Sequence, residues 1–279
     1  MNAPAIPRTE FRGSVPETLP ALEFRDVSIA FDGPPVLDKV SFSVGAAETR
    51  ILLGPAGVGK SVLLKLANGL LCPDSGSIHL LGEEISSMRE RDLFTLRTRT
   101  GMVFQEGALF DSLSVRDNVA YLLIQQRVPD DEIDARVIEA LRFVGLESTF
   151  SLFPGSLSGG MRRRVAIARA LIHKPDLLLY DSPTGGLDPV TSTTIIELIV
   201  KQRDVNRTPA VLVTHRLQDA FAMTSHRFDT ASNGMVPLPE GHTDPNTTFL
   251  MLSEGHLIFD GNLTQLIASN DPFVREFLE

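Results

Sequence analysis

An α/β fold built on a parallel sheet is predicted by three observations. Two apolar runs, Leu177-Leu178-Leu179-Tyr180 and Ala210-Val211-Leu212-Val213, are short, continuous and bounded by polar residues. Such runs suit strands buried on both faces of a parallel sheet. Between them residues 191–202 carry helical periodicity, and strand–helix alternation of this kind is the mark of α/β architecture. Third, the apolar strand Thr49-Arg50-Ile51-Leu52-Leu53 runs into a glycine-rich turn, after which residues 61–71 are periodic as a helix.

The remaining elements follow in order. Residues 1–20 are rich in Pro and polar groups and read as a flexible tail; the folded domain is expected over 21–279. Strand patterns appear at Leu22-Glu23-Phe24, Val27-Ser28-Ile29 and Val40-Ser41-Phe42-Ser43-Val44, the last in strict alternation. Residues 106–171 read mainly as helices broken at Pro129, Pro154 and Gly159. The Pro-, Gly- and Asn-rich stretch 227–245 reads as an inserted surface loop, and 249–252 with 257–259 as a hairpin around Glu254-Gly255. No internal repeat or heptad run is visible.

The 279 residues, 43% of them hydrophobic, can bury the core of one large or two modest domains. The net charge of −9 disfavours nucleic-acid binding, because an acidic chain replaces backbone counterions poorly. Cys72 is the only cysteine, so no internal disulfide can form and a reducing compartment fits. Neither a basic-then-apolar leader nor a long uncharged run is apparent, so a membrane role is expected to come through a partner.

Gly54-Pro55-Ala56-Gly57-Val58-Gly59-Lys60-Ser61 matches the P-loop pattern in full. Glycines let consecutive backbone N–H groups close around phosphate oxygens, and the following helix points its positive dipole end at the same anion. Lys60 is expected to bridge the β- and γ-phosphates of ATP, and the Ser61 hydroxyl to ligate Mg²⁺. The six histidines show no Cys/His ligand spacing, so nucleotide-associated Mg²⁺ is the one metal implied.

Four further pieces stand in order along the chain: Val103-Phe104-Gln105, Leu157-Ser158-Gly159-Gly160-Met161, Asp181 at the end of an apolar run, and Val213-Thr214-His215. Taken singly each has a plain structural reading, and the ordered set carries the argument. With it the sequence resembles the ATP-binding cassette (ABC) family from about Leu22 onward. The resemblance implies a RecA-like P-loop NTPase core, an N-terminal antiparallel β subdomain and a helical subdomain over about 106–171. It implies that Gln105 reaches Mg²⁺ and the attacking water, that Asp181 holds Mg²⁺ through water and that His215 is the switch histidine. Phe31 matches the aromatic that stacks on adenine, and Gly186-Leu187-Asp188 the loop exchanged across a dimer interface. Met161 departs from the usual signature glutamine. The tip formed by Ser158, Gly159 and Gly160 is expected to cap the γ-phosphate of a second ATP-binding subunit in a head-to-tail homodimer. Arg162 to Arg164 read as a solvated face, or as cations beside bound phosphate.

One departure bears on catalysis. Where the family has a glutamate after the Walker B aspartate, this chain has Ser182. A serine cannot take a proton from water at neutral pH, and loss of a general base costs about 10²–10⁴-fold in rate. Two readings stay open: slow hydrolysis supported by His215, Gln105 and the substrate itself, or a subunit that mainly binds ATP.

The run Phe104-Gln105-Glu106-Gly107-Ala108-Leu109-Phe110, then Val115-Arg116-Asp117-Asn118-Val119-Ala120, the Gly-Gly-Met signature and Asp271-Pro272-Phe273-Val274-Arg275-Glu276-Phe277-Leu278 resemble the Mla-type (maintenance of lipid asymmetry) ATPases. That resemblance implies a phospholipid or other hydrophobic substrate, an integral membrane permease docked on residues 106–120, an MCE-domain lipid-binding partner and a peripheral position on the cytoplasmic side of the inner membrane. A soluble ABC ATPase of DNA repair or translation usually needs a coiled-coil insertion or two cassettes per chain, and neither is visible.

Overall fold

A computed structural model describes residues 19–279; the expected N-terminal tail lies almost wholly outside the described residues. The chain opens with β1 (Leu22–Ala30) and β2 (Pro35–Val44), an antiparallel pair. The two short strand patterns around Asp26 are a single strand. Asp26 itself takes φ 49° and shifts the register between Phe24 and Val27. Next come β3 (Thr49–Leu53), α1 (Lys60–Ala67), β4 (Ser75–Leu80), β5 (Glu83–Glu84), α2 (Glu90–Arg97) and β6 (Thr100–Val103). The first helix stops before the expected Leu71. Gly69 turns into the left-handed region (φ 64°), and Arg97 donates to the carbonyls of Asn68 and Gly69, satisfying groups a continuing helix would have used.

The helical stretch holds α3 (Val115–Gln125), α4 (Asp130–Phe143) and α5 (Gly159–Leu171). Ser114 caps α3 by accepting from the Asp117 amide, Pro129 precedes α4, and Ser158 caps α5 by accepting from the Met161 amide. The chain continues through β7 (Leu177–Asp181), α6 (Pro189–Lys201), β8 (Ala210–Val213), α7 (Leu217–Ser225), β9 (His226–Asp229), β10 (Gly234–Pro237), β11 (Thr247–Ser253), β12 (His256–Gly261), α8 (Leu263–Ile267) and α9 (Pro272–Leu278).

Three sheets result among the described residues. The antiparallel order is β2-β1-β4-β5, and the central order is β12-β11-β3-β8-β7-β6, parallel except for β12. Side chains alternate across the central sheet as strand geometry demands. Ile51, Leu178, Tyr180, Leu212 and Phe249 join the core beneath the helices, while Leu52, Leu179, Val211 and Leu250 join the core beneath the antiparallel sheet. Burial on both faces explains the unbroken apolar runs.

The stretch expected to be an inserted loop contains the β9–β10 ribbon. Its turn is closed by Asp229, whose carboxylate accepts from the amide and hydroxyl of Ser232, and by Asn233 at φ 50°. Arg203, 7% exposed, anchors the base of the ribbon. It pairs with Asp204 at 2.6 Å and Asp244 at 3.4 Å, and donates to the carbonyls of Met223 and His226. Removing one member of such a buried ionic cluster leaves its partners uncompensated. Arg203→Ala is therefore expected to lower stability by about 3 kcal/mol in denaturant unfolding.

Candidate nucleotide-binding site

Four strands of the central sheet end side by side, and every predicted motif except the signature at the start of α5 follows one of them. The register aligns Leu52 with Val213 and Val213 with Asp181, and aligns Val103 with Tyr180. Gly54, His215, Ser182 and Gln105 each follow within two residues of that row. Parallel α/β sheets bind ligands at these carboxyl ends.

Gly54 takes φ 144°, and a Cβ there would meet the Leu252 carbonyl at 2.6 Å, so no other residue fits this turn out of β3. Pro55, Ala56 and Gly57 are exposed and Val58 partly so. Gly59 is the N-cap of α1, and no side chain caps the helix, leaving its first N–H groups available to an anion. Lys60 is 8% exposed. Its ammonium donates to the carbonyls of Gly54 (2.8 Å) and Pro55 (2.7 Å). Burial draws its pKa down, and the nearby Asp181 carboxylate opposes that shift. The Ser61 hydroxyl donates to Asp181 at 3.2 Å, uniting P-loop and β7 through two hard oxygen groups of the kind Mg²⁺ prefers.

Gln105 is exposed, and its amide nitrogen lies 3.6 Å from where a Cβ on Gly185 would stand, beside the turn that follows Asp181. Ser182 begins that turn, 8% exposed and held at φ 45°. A non-glycine residue in this region carries strain of about 1–3 kcal/mol. Its amide donates to the Val213 carbonyl (3.0 Å), and its carbonyl accepts from the Gly185 amide (2.9 Å). His215 is exposed, and no hydrogen bond to it is found among the described residues. Phe31, 51% exposed, lies in the link from β1 to β2, and Val36 of that hairpin packs on Gly59.

Ser158 and Gly159 are exposed at the start of α5, and among the described residues no hydrogen bond joins them to the P-loop of the same chain. Gly160 is buried where α5 meets α6, and a Cβ there would fall 2.3 Å from Thr191 Cγ2. Thr191 cannot rotate freely away, since its hydroxyl donates to Asp188 (2.6 Å) and its amide to the same carboxylate (3.0 Å). These bonds hold the Asp188 carboxyl below the usual carboxylate range.

Two arginines, Arg163 and Arg216, join the site without a motif that marks them in the sequence. Arg163 is 5% exposed rather than on a solvated face; its guanidinium donates to the carbonyls of Ser182 (3.1 Å) and Gly185 (3.2 Å). Arg162 and Arg164 likewise turn inward, to the carbonyls of Leu157 (2.7 Å) and Val144 (3.1 Å). The signal for Arg163 was its helical spacing from Gly160 and Ile167, both buried on one stripe. Arg216, next to His215, donates to Ser192 (2.9 Å) and the Leu187 carbonyl (3.4 Å), joining the β8 end to the Asp188 loop.

A phosphate cradle, a hydroxyl–carboxylate pair beneath it and a separate capped helix tip define a P-loop nucleotide-binding protein. The family model described as ABC transporter matches residues 37–185, more than half of the chain, and the protein belongs to that family. It is 33% identical over 259 residues to the intermembrane phospholipid transport system ATP-binding protein MlaF of Escherichia coli K12, covering 92% of this chain and 88% of that one. Among solved structures, the ATP-binding cassette MJ0796, a dimer in a post-hydrolysis state bound to ADP and Pi, superposes with a TM-score of 0.73 at 26% identity, covering 87% of this chain and 98% of that chain. CbiO1 of Clostridium perfringens, part of an ABC transporter complex, gives 0.75 at 28% identity over 90% and 92% of the two chains.

The contact at Gly160 makes a sharp prediction. Gly160→Ala is expected to lose about 1–3 kcal/mol through overpacking. Gly160→Ala with Thr191→Ser, which deletes the opposing methyl and keeps the hydroxyl, should recover most of it in thermal unfolding.

Proposed function

We propose that this chain is the ATP-hydrolysing subunit of a phospholipid or other hydrophobic-substrate transporter. It would act as a homodimer on a separate integral permease at the cytoplasmic face of the inner membrane. The observation that carries the reading is the meeting of Ser61 with Asp181 beneath the P-loop. ATP lies on the backbone N–H groups of residues 54–61, with Phe31 against the adenine and Lys60 moving from its carbonyl partners to the phosphates. Ser158, Gly159 and Gly160 of a second copy cap the γ-phosphate, with Asp188 alongside. Ser61, Gln105 and Asp181 would hold Mg²⁺, which when bound would offset the negative charge of the phosphates. Gln105 and His215 orient a water for in-line attack on the γ-phosphorus. The bond to the β-phosphate bridge oxygen breaks with its electron pair leaving on ADP, and the water's proton passes to the departing inorganic phosphate.

Ser182 offers this water a hydroxyl and no base, so turnover is slow. A second reading, a subunit that binds ATP with little hydrolysis, draws on the same residue. For membrane partners, the rings of Phe110 and Tyr121 meet at a tilt, 4.8 Å between centroids, while 44% and 40% exposed, an aromatic pair available to a permease segment. Among the described residues no helix is long and apolar enough to cross a membrane. The phospholipid assignment rests on the likeness to MlaF, and the MCE-domain partner on the sequence resemblance to the Mla-type ATPases alone.

Three measurements bear on this. Ser182→Glu is expected to raise turnover by about 10²-fold, and an unchanged rate would show that position 182 does not limit the reaction. Lys60→Ala is expected to weaken nucleotide binding by at least about tenfold and to abolish ATP-dependent pairing; full retained affinity would refute the site. Affinity capture from membranes should bring down a polytopic permease with bound lipid, whereas ribosomes or DNA would redirect the reading.

A further inference from the structure

Helix α5 bears on two places at once. Its tip, Ser158 and Gly159, is exposed. One turn later, Arg163 reaches into the interior of the same chain and holds the turn after Asp181 by two carbonyls, those of Ser182 and Gly185. Gly160 and Arg163 are about 4.5 Å apart along the helix axis, too short a span for the tip to move without carrying the arginine.

The turn is tied on its far side by the buried Thr184 hydroxyl, which donates to Asp219, and Arg163 holds the carbonyls on either side of Thr184. The turn is closed by the Gly185 amide on the Ser182 carbonyl, tethered to β8 by the Ser182 amide, and kept in left-handed geometry at a residue that is not glycine. Arg163 is positioned to keep it there. A guanidinium presents its donors in a planar fork, so one side chain fixes the spacing of two carbonyl oxygens; an ammonium offers no such fork. Burial opposes the positive charge on Arg163, and the carboxylates of Glu106 and Asp181 support it. Both carboxylates belong to segments at the nucleotide site: Glu106 follows Gln105, and Asp181 pairs with Ser61. The amide of Gln105 borders the same turn at Gly185.

We infer that Arg163 is a positioning residue for hydrolysis. It couples the signature tip, engaged by the nucleotide of one copy, to the turn that orients the attacking water in its own copy. Occupation of one site is thereby conveyed to the other through a rigid helix and one guanidinium fork. The inference rests on the ATPase reading above and adds a residue that acts on turnover without touching the nucleotide.

The test uses the full chain in complex with the permease it co-purifies with, comparing wild type, Arg163→Lys and Arg163→Gln. Steady-state ATP hydrolysis gives kcat and KM, and ATP-dependent pairing of copies is followed in magnesium-free buffer, where hydrolysis is off. The expected result is a kcat lowered by at least about tenfold in Arg163→Gln and partly restored in Arg163→Lys, with KM and pairing within about twofold of wild type. A residue that only supports the fold would lower pairing and kcat together. That outcome overturns the inference, as does unfolding of both variants by circular dichroism. A kcat within about twofold of wild type in both variants overturns it while leaving the ATPase reading intact. Absence of turnover in the wild-type complex removes the ATPase reading and this inference with it.

Discussion

The structure depends on the register of three parallel strands. Setting Leu52, Val213 and Asp181 in one row brings the P-loop, the histidine segment and the acidic end of β7 to a common edge. A slip of one residue in any of them would turn a core side chain toward the other face and carry its motif out of line. The register is enforced by burial on both sides. One face packs in the core shared with α5, α6 and α7, and the other in the core shared with α1, α2 and the antiparallel sheet, so each strand residue has a side to which it belongs. Catalytic geometry is therefore inherited from core packing.

Around that edge, backbone carbonyls do much of the organising. Lys60 donates to Gly54 and Pro55, Arg163 to Ser182 and Gly185, and Arg216 to Leu187. Side-chain cations bound to main-chain oxygens leave carboxylates free for other work, and Asp181 faces the Ser61 hydroxyl with no ion pair among the described residues. Lys60 differs from the two arginines in its chemistry: its ammonium is a compact charge on a flexible stem, whereas each guanidinium is a planar fork.

Much of this was legible in the sequence because the responsible patterns are local. The P-loop, the doubly buried strands and the capped start at Ser158 depend on neighbours within a few residues. The elements that were not read have long-range causes. β6 is four residues long and contains Gly101, whose added Cβ would lie 2.5 Å from the Ala170 carbonyl, so its strand character comes from the packing of α5 against it. The β9–β10 ribbon is short, turns at Asn233-Gly234 and ends at Pro237, and its base is held by Arg203, more than twenty residues earlier in the chain. The inward course of Arg162 to Arg164 was hidden by charge: three consecutive arginines look like surface until each is matched to a carbonyl acceptor that the sequence does not display.

The ribbon also has a bearing on how this architecture tolerates change. Its base is tied down by a buried guanidinium while its tip, residues 230–233, is exposed. Lengthening such a tip costs only the logarithm of the added contour. The segment between α7 and β11 is thus a permissive joint, where material can accumulate or vanish over evolutionary time while the phosphate-binding edge of the sheet keeps its alignment.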